Sequence, residues 1–140
     1  MVFRFFATAA MLSLLGACST MTETSSTQQD LLVDRATQRW EALVERDWSK
    51  AYTFTSPAYR ELFSEALYVR KFSYMVEWEL TSVEFLNYDA PAAVASVAVG
   101  VMSRPTKLTS VASRAIGSVP TRIVENWVLV DGEWWYSANL

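Results

Sequence analysis

The 140-residue sequence contains no histidine and only one cysteine, Cys18. A protein without histidine lacks the most common general base, the Ser-His and Cys-His nucleophile pairs and the most common zinc ligand. The sequence also has no glycine-rich phosphate loop, no metal-ligand spacing and no internal repeat. We therefore expect no cofactor and no metal, and any acid–base chemistry would depend on carboxylates.

The charge balance is slightly acidic, with 12 Lys and Arg residues against 15 Asp and Glu residues and a formal net charge of -3. A phosphate backbone would repel such a chain, so we expect no nucleic-acid partner. Hydrophobic residues make up 51% of the chain and aromatic residues 14%. This composition and length are typical of one globular domain with an aromatic-rich interior.

The N-terminal segment has the layout of a cleaved secretory signal. Arg4 supplies a positive start, and the apolar run from Phe5 to Leu15 is too short to span a bilayer. Gly16 and Ala17 are small residues that suit a signal peptidase, and the lone cysteine follows them directly. We therefore expect residues 1–17 to be removed.

The sequence Leu15-Gly16-Ala17-Cys18 resembles the lipobox of bacterial lipoproteins. The resemblance implies that the Cys18 thiol carries diacylglycerol and that its amine takes a further acyl chain such as palmitate. Two buried chains hold a protein on a membrane, whereas one is marginal. Ser19 resembles the residue that accompanies outer-membrane sorting. The resemblance therefore implies a place in the bacterial cell envelope, at the outer membrane facing the periplasm if the source has two membranes.

Residues 18–29 are predicted to be a flexible polar tether, and residues 30–140 the folded domain. The tether is rich in Ser and Thr and has no apolar periodicity. An amphipathic pattern then predicts a helix from Leu31 to Arg46. The residues on its apolar face are Leu32, Ala36, Trp40, Leu43 and Val44. The residues on its polar remainder are Asp34, Arg35, Gln38, Arg39, Glu41 and Glu45.

Three helix starts follow this first helix. Asp47 is placed as the N-cap of a short helix, and Ser56-Pro57 reads as a second cap with proline at the first helical position. Ser64 is a third candidate cap, for a helix from Glu65 to Phe72. The chain is therefore predicted to fold its helices first.

Four strands are predicted after Ser73, where the apolar period drops to two. The first begins near Val76, and a slip of the pattern near Ser82 predicts a bulge. The second runs from Ala92 to Met102, and a polar loop from Ser103 to Ser113 follows it. The third runs from Arg114 to Val130. Asp131-Gly132 is a strong hairpin turn that leads into the last strand, Glu133 to Ala138.

Two segments resemble the nuclear transport factor two-like superfamily, which includes the SnoaL-like domains. They are Trp40 to Arg60, with its caps, and Trp127 to Trp135, with its Asp-Gly turn. The resemblance implies an α+β, cystatin-like cone in which N-terminal helices pack in a curved antiparallel sheet, with a pocket between the two and dimers through the sheet. Members include isomerases, dehydratases and non-catalytic binding modules, so the motifs indicate fold rather than activity.

Glu125 is the best single candidate for acid–base chemistry, because it lies on the same strand face as Ile123 and Trp127. If that face lines a pocket, burial would raise the pKa of its carboxyl and make it a usable acid or base. The other interpretation, which we favour, is that Glu125 pairs with Arg122 or Arg114 at the rim. No complete catalytic set is present, so no residue is assigned as catalytic.

Four aromatic residues are candidates for the lining of a pocket: Tyr52, Tyr59, Trp78 and Trp127. Tyrosine and tryptophan offer an apolar ring with one polar group, which suits ligand contact. Such residues also form ordinary cores, and in a cone they can do both. We therefore expect these four residues to line a pocket and also to pack in the core.

Two functions of different classes are consistent with these features. The favoured one is a membrane-anchored, non-catalytic domain that binds a small apolar ligand or another envelope protein. The alternative is a carboxylate-dependent isomerase or dehydratase that uses the pocket. The absence of a recognisable catalytic set favours the first.

The lipid anchor can be tested by substitution of its attachment residue. Cys18→Ser is expected to abolish lipid labelling and to leave a soluble or unprocessed precursor, because serine cannot form the thioether. Detergent phase partitioning and radiolabelled fatty-acid incorporation measure both effects. Unchanged labelling of the Cys18→Ser chain would contradict the anchor.

Overall fold

The structure is a computed structural model that describes residues 20–72, 76–107 and 110–138. Residues 1–19, which include the predicted signal and lipid anchor, lie outside the described residues. The described helices are α1 (Thr20–Val44), α2 (Trp48–Thr53), α3 (Pro57–Leu62), α4 (Glu65–Val69) and α5 (Val111–Ile116). The described strands are β1 (Val76–Asp89), β2 (Val94–Pro105), β3 (Val119–Val130) and β4 (Glu133–Tyr136). No helix among the described residues has both the length and the hydropathy that crossing a bilayer requires.

Helix α1 buries the predicted apolar stripe. Leu32, Ala36, Trp40 and Leu43 are buried and Val44 is half-buried, which confirms that face. The helix stops where Arg46 adopts a left-handed conformation (φ 61°), and the Arg46 and Asp47 amides donate back to Leu43 and Ala42 carbonyls. These two hydrogen bonds satisfy carbonyl groups that a helix end otherwise leaves without partners.

The upstream bound of α1 differs from the prediction. The structure continues the helix to Thr20, through most of the segment expected to be a tether. The Trp134 indole N–H donates to the Gln28 carbonyl at 3.1 Å, which joins this part of the helix to β4. Once a helix is nucleated, each added residue costs little, so a polar segment without apolar periodicity can extend it.

The three short helices begin where the sequence predicts. Asp47 and Ser56 are N-caps whose side chains accept hydrogen bonds from the Lys50 and Tyr59 amides, and Ser64 occupies the N-cap of α4. Between α2 and α3 the chain lies beside β4, where the Tyr136 amide donates to the Phe54 carbonyl at 2.8 Å. These bonds fix the helical segment against the last strand.

The sheet is an antiparallel meander in the order β1-β2-β3-β4. The register of β1 shifts between Leu80 and Ser82, which confirms the predicted bulge, and it shifts again between Phe85 and Asn87. Asp131 (φ 52°) and Gly132 (φ 79°) form the tight turn between β3 and β4, in which Trp127 pairs with Tyr136. Two consecutive residues with positive φ are what a type I′ hairpin requires, so that prediction is confirmed.

Helix α5 is the element that the sequence did not predict. Residues Val111–Ile116 are helical, whereas the expected third strand began at Arg114. The Arg114 amide donates to the Ser110 carbonyl, and the helix is followed by Gly117 at φ 62°. Glycine with positive φ is typical of a helix end. From the sequence alone, Gly117 also fits an interruption of a long strand.

The hydrophobic core lies between α1 and one face of the sheet. From the sheet it receives Ala95, Val97, Val99, Val101 and Trp127, all buried. Trp40 of α1 packs edge-on against Trp78 of β1, with ring centroids 6.0 Å apart. The α+β class is therefore confirmed. The four-stranded sheet is open, and the cone expected from the resemblance is not confirmed.

Trp127 tests the importance of this core, since its side chain is 0% exposed. Trp127→Ala is expected to lower the free energy of unfolding by about 3–5 kcal/mol, because it leaves a large cavity. The matched control is Val124→Ala on the same strand, where the side chain is 58% exposed, and it should cost less than about 0.5 kcal/mol. Urea denaturation measures both. Equal losses would contradict the described register of β3.

Candidate functional site

A buried ion pair joins α1 to β3. Arg39 Nη1 lies 2.5 Å from Glu125 Oε1, and the two residues are 3% and 4% exposed. The Trp40 indole N–H donates to the same carboxylate oxygen at 2.9 Å. One carboxylate oxygen of Glu125 therefore accepts hydrogen bonds from two consecutive residues of α1.

The positions of both charges follow from the periods of their elements. Arg39 lies three residues after Ala36 and four before Leu43, so it belongs to the buried stripe of α1. Glu125 alternates with Trp127 on the inward face of β3. The two side chains therefore meet in the interior, where both are almost completely shielded from solvent.

Burial is the main influence on the pKa of each group in this cluster. It raises the pKa of the Glu125 carboxyl, and the Arg39 charge and the Trp40 and Trp127 N–H groups oppose the rise. Burial by itself would lower the pKa of the Arg39 guanidinium. The neighbouring Glu125 carboxylate raises this pKa, and the net shift is upward. Burial also raises the pKa of Tyr68 and of Tyr136, so both phenols are protonated at neutral pH.

A pocket of about 220 Å³ opens beside this pair. Its walls come from α1, α3, α4 and β4 and from the residues that follow α4 and β4. The lining residues are Arg39, Tyr59, Tyr68, Lys71, Phe72, Tyr136 and Ala138. The Arg39 guanidinium carbon lies 3.7 Å from the Tyr136 ring centroid, and Arg39 Nη2 donates to the Tyr68 hydroxyl at 3.4 Å. One side chain thus contacts both the core carboxylate and the pocket wall.

Two buried polar atoms of the lining residues have no hydrogen-bond partner in the part of the chain that the structure describes. They are the Tyr59 hydroxyl oxygen and Arg39 Nε. Buried polar groups are nearly always hydrogen-bonded, and a donor without a partner costs about 1–3 kcal/mol. These two atoms are therefore the features of the pocket that a bound acceptor would satisfy.

Of the four aromatic residues and Glu125 that were considered as pocket lining, only Tyr59 lines this pocket. Tyr52 instead donates its hydroxyl to the Phe63 carbonyl at 2.7 Å. Trp78 lies in an aromatic cluster with Trp40 and lines a different pocket, of about 270 Å³, near the end of α1. Trp127 is buried in the core on the same strand face as Glu125, and it does not line this pocket.

The favoured interpretation of Glu125 as a rim residue is corrected by these contacts. Its partner is Arg39 of α1, and neither Arg122 nor Arg114 pairs with it. Arg122 lies on the outward face of β3 and pairs with Glu84 at 3.6 Å. Side chains three residues apart on a strand point to opposite faces, so Arg122 and Glu125 cannot meet.

Sequence reasoning missed Arg39, Tyr68, Lys71 and Tyr136. A signal existed for Arg39, because its spacing from Ala36 and Leu43 places it on the apolar stripe rather than on the polar remainder of the helix. An arginine in that stripe needs a buried acid, and Glu125 was the inward-facing acid of β3. Lys71 and Tyr68 carried no such signal, because their position depends on how α4 packs.

No group of three or more His, Cys, Asp or Glu side chains within residues 20–72, 76–107 and 110–138 is placed to hold a metal ion. The chemistry that the arrangement does offer is hydrogen-bond donation and positive charge at the rim of an aromatic pocket. Both are properties of a binding site.

Comparison with known proteins gives little further information. No family model matches the chain, and no curated protein matches it. Among solved structures, the solution structure of a SEC-C motif containing protein from Rhodopseudomonas palustris is similar, with 15% identity and a TM-score of 0.46. The similarity covers 71% of this chain and 70% of that chain. At this score it carries no argument about family or function.

The resemblance to a lipoprotein with a nuclear transport factor two-like domain is wrong as an identification. The described strands form an open four-stranded meander, and no family model supports the resemblance. The capping residues and the Asp-Gly turn that carried the resemblance do form as predicted. Caps and turns are local, however, and they do not determine how a sheet curves around a helix.

The buried pair can be tested through Glu125. Glu125→Gln is expected to lower the free energy of unfolding by about 3–5 kcal/mol, because it leaves the Arg39 charge buried without a counter-charge. Glu84→Gln removes the carboxylate of an exposed pair and should cost less than about 1 kcal/mol. Chemical denaturation of the two variants gives the comparison. A Glu125→Gln chain as stable as Glu84→Gln would rule out a buried pair.

Proposed function

We propose that the folded domain is a non-catalytic binding module whose site is the pocket between α1, α3, α4 and β4. The observation that carries this proposal is the Tyr59 hydroxyl, which is buried at the pocket without a hydrogen-bond partner in the described chain. A rigid aromatic wall with a few polar groups that point to one place is the usual composition of a small-molecule site.

The aromatic wall supports an apolar ligand. Tyr59 stacks on Phe63 with ring centroids 4.9 Å apart, and Tyr68 packs edge-on against Phe72 at 5.0 Å. These contacts hold the rings in place before any ligand arrives, so little conformational entropy is lost on binding. The site is therefore suited to a small apolar molecule.

The alternative, an isomerase or dehydratase with Glu125 as the acid–base group, has weaker support. Glu125 is absent from the pocket lining, and its Oε1 atom accepts hydrogen bonds from both Arg39 and Trp40. A general base must lie within hydrogen-bond reach of the proton that it removes. The contacts of Glu125 instead match a structural counter-charge.

Membrane attachment through Cys18 and a protein partner remain parts of the proposal. The outward sheet face is the second surface to which a partner, or a second copy of this chain, could bind. Val124 is 58% exposed there beside the small Ala98, its neighbour on β2. Exposed apolar residues at the centre of a sheet face are common at protein interfaces.

The small-ligand site can be tested with indole, a neutral apolar probe with one polar group. We expect indole to shift the NMR signals of Tyr59, Lys71 and Tyr136 in the isotopically labelled full-length chain. Ala138→Trp places a large ring at the pocket lining and should abolish these shifts, because it fills the site.

The matched control is Ala92→Trp, which adds the same ring at an exposed position in the β1–β2 turn and should leave the shifts unchanged. Shifts that spread over the outward sheet face and survive Ala138→Trp would place the site elsewhere. The absence of any shift up to the solubility of the probe would count against the small-ligand function.

A further inference from the structure

We propose that the ligand of this pocket carries a carboxylate, which is bound by Lys71 at the pocket rim and by the buried Tyr59 hydroxyl. The inference rests on the proposed function, since it gives the chemical class of ligand for the same site. It predicts selection for an aromatic acid over a neutral molecule of the same shape.

The first support is the charge balance around the pocket. The charges of Arg39 and Glu125 neutralise each other, with Arg39 Nη1 2.5 Å from Glu125 Oε1. Lys71 has no such compensation, because no carboxylate of the described residues lies within ion-pair distance of it. The ring centroids of Tyr59 and Phe63 lie 5.2 and 5.6 Å from its ammonium nitrogen. The charges on these three side chains therefore leave one positive charge at the rim.

The second support is the excess of hydrogen-bond donors over acceptors. The Tyr59 hydroxyl and Arg39 Nε are buried and lack partners among residues that the structure describes. Tyr68 and Tyr136 keep their protons at neutral pH, since burial raises the pKa of each. No carboxylate or amide side chain is part of the lining. A carboxylate accepts up to four hydrogen bonds and donates none, so it complements such a wall.

The third support is the position of the charge relative to the rings. Lys71 is exposed, whereas Tyr59 and Tyr68 are buried. A ligand whose ring lies against Phe72 and Tyr136 would leave its acidic group near the rim, where Lys71 can reach it. A charge-assisted hydrogen bond in a partly dry site is stronger than a neutral one.

The experiment compares benzoate with benzamide, which have nearly the same shape and differ in charge at neutral pH. Isothermal titration of the full-length chain is expected to give at least about tenfold tighter binding of benzoate, the ratio that corresponds to one charge-assisted hydrogen bond. Lys71→Met should reduce this preference to about twofold or less, and Tyr59→Phe should weaken benzoate binding while the ring stays in place.

Two control variants keep the test specific. Lys50→Met removes an exposed lysine of α2 that is not part of the lining, and Tyr52→Phe removes a hydroxyl that donates to the Phe63 carbonyl. Both should retain the preference for benzoate. Thermal unfolding of all four variants identifies any that fail to fold, and Lys71→Arg should restore the preference if charge is its origin.

Each outcome has a distinct meaning. Equal binding of benzoate and benzamide would overturn the carboxylate while the proposed binding function stands. A preference for benzoate that survives both Lys71→Met and Tyr59→Phe would also overturn the carboxylate proposal, because other residues would then bind the charged group. If neither probe binds, and indole does not bind either, the proposed function itself fails.

Discussion

The buried pair of Arg39 and Glu125 is the constraint on which the arrangement of helix and sheet depends. A buried charge without a partner costs several kcal/mol, so α1 must lie on the sheet with Arg39 facing β3. A rotation of the helix, or a shift by one turn, would separate the two charges and remove the Trp40 N–H from Glu125 Oε1. Apolar contacts alone are less directional, because one aliphatic side chain can replace another at similar cost.

The same arginine also organises the pocket. Its guanidinium lies over the Tyr136 ring and donates to the Tyr68 hydroxyl, so α1, α4 and β4 meet at one side chain. Arg39 Nη1 contacts the core carboxylate, whereas Arg39 Nε and the Tyr59 hydroxyl are buried donors of pocket-lining residues without partners among the described residues. The structural role of Glu125 and the proposed binding role of the pocket are in this sense separate.

Much of the fold could be predicted from local sequence signals. The caps at Asp47 and Ser56 and the Asp131-Gly132 turn were all correct, because each depends on residues close in sequence. The pairing of Arg39 with Glu125 was missed, since 86 residues separate them and both were interpreted within their own element. Helix α5 was missed because its only clear signal, Gly117, also fits a broken strand. Family resemblance failed for the same reason: local motifs do not specify how elements assemble.

The most direct test of this account is a double-mutant cycle between positions 39 and 125. It compares the free energies of unfolding of Arg39→Met, Glu125→Leu and the double variant with that of the original chain. The account predicts that each single variant loses about 3–5 kcal/mol and that the double variant recovers most of the loss, because no unpaired charge remains. Losses that add in the double variant would show that the two side chains do not form a buried pair, and would contradict the account.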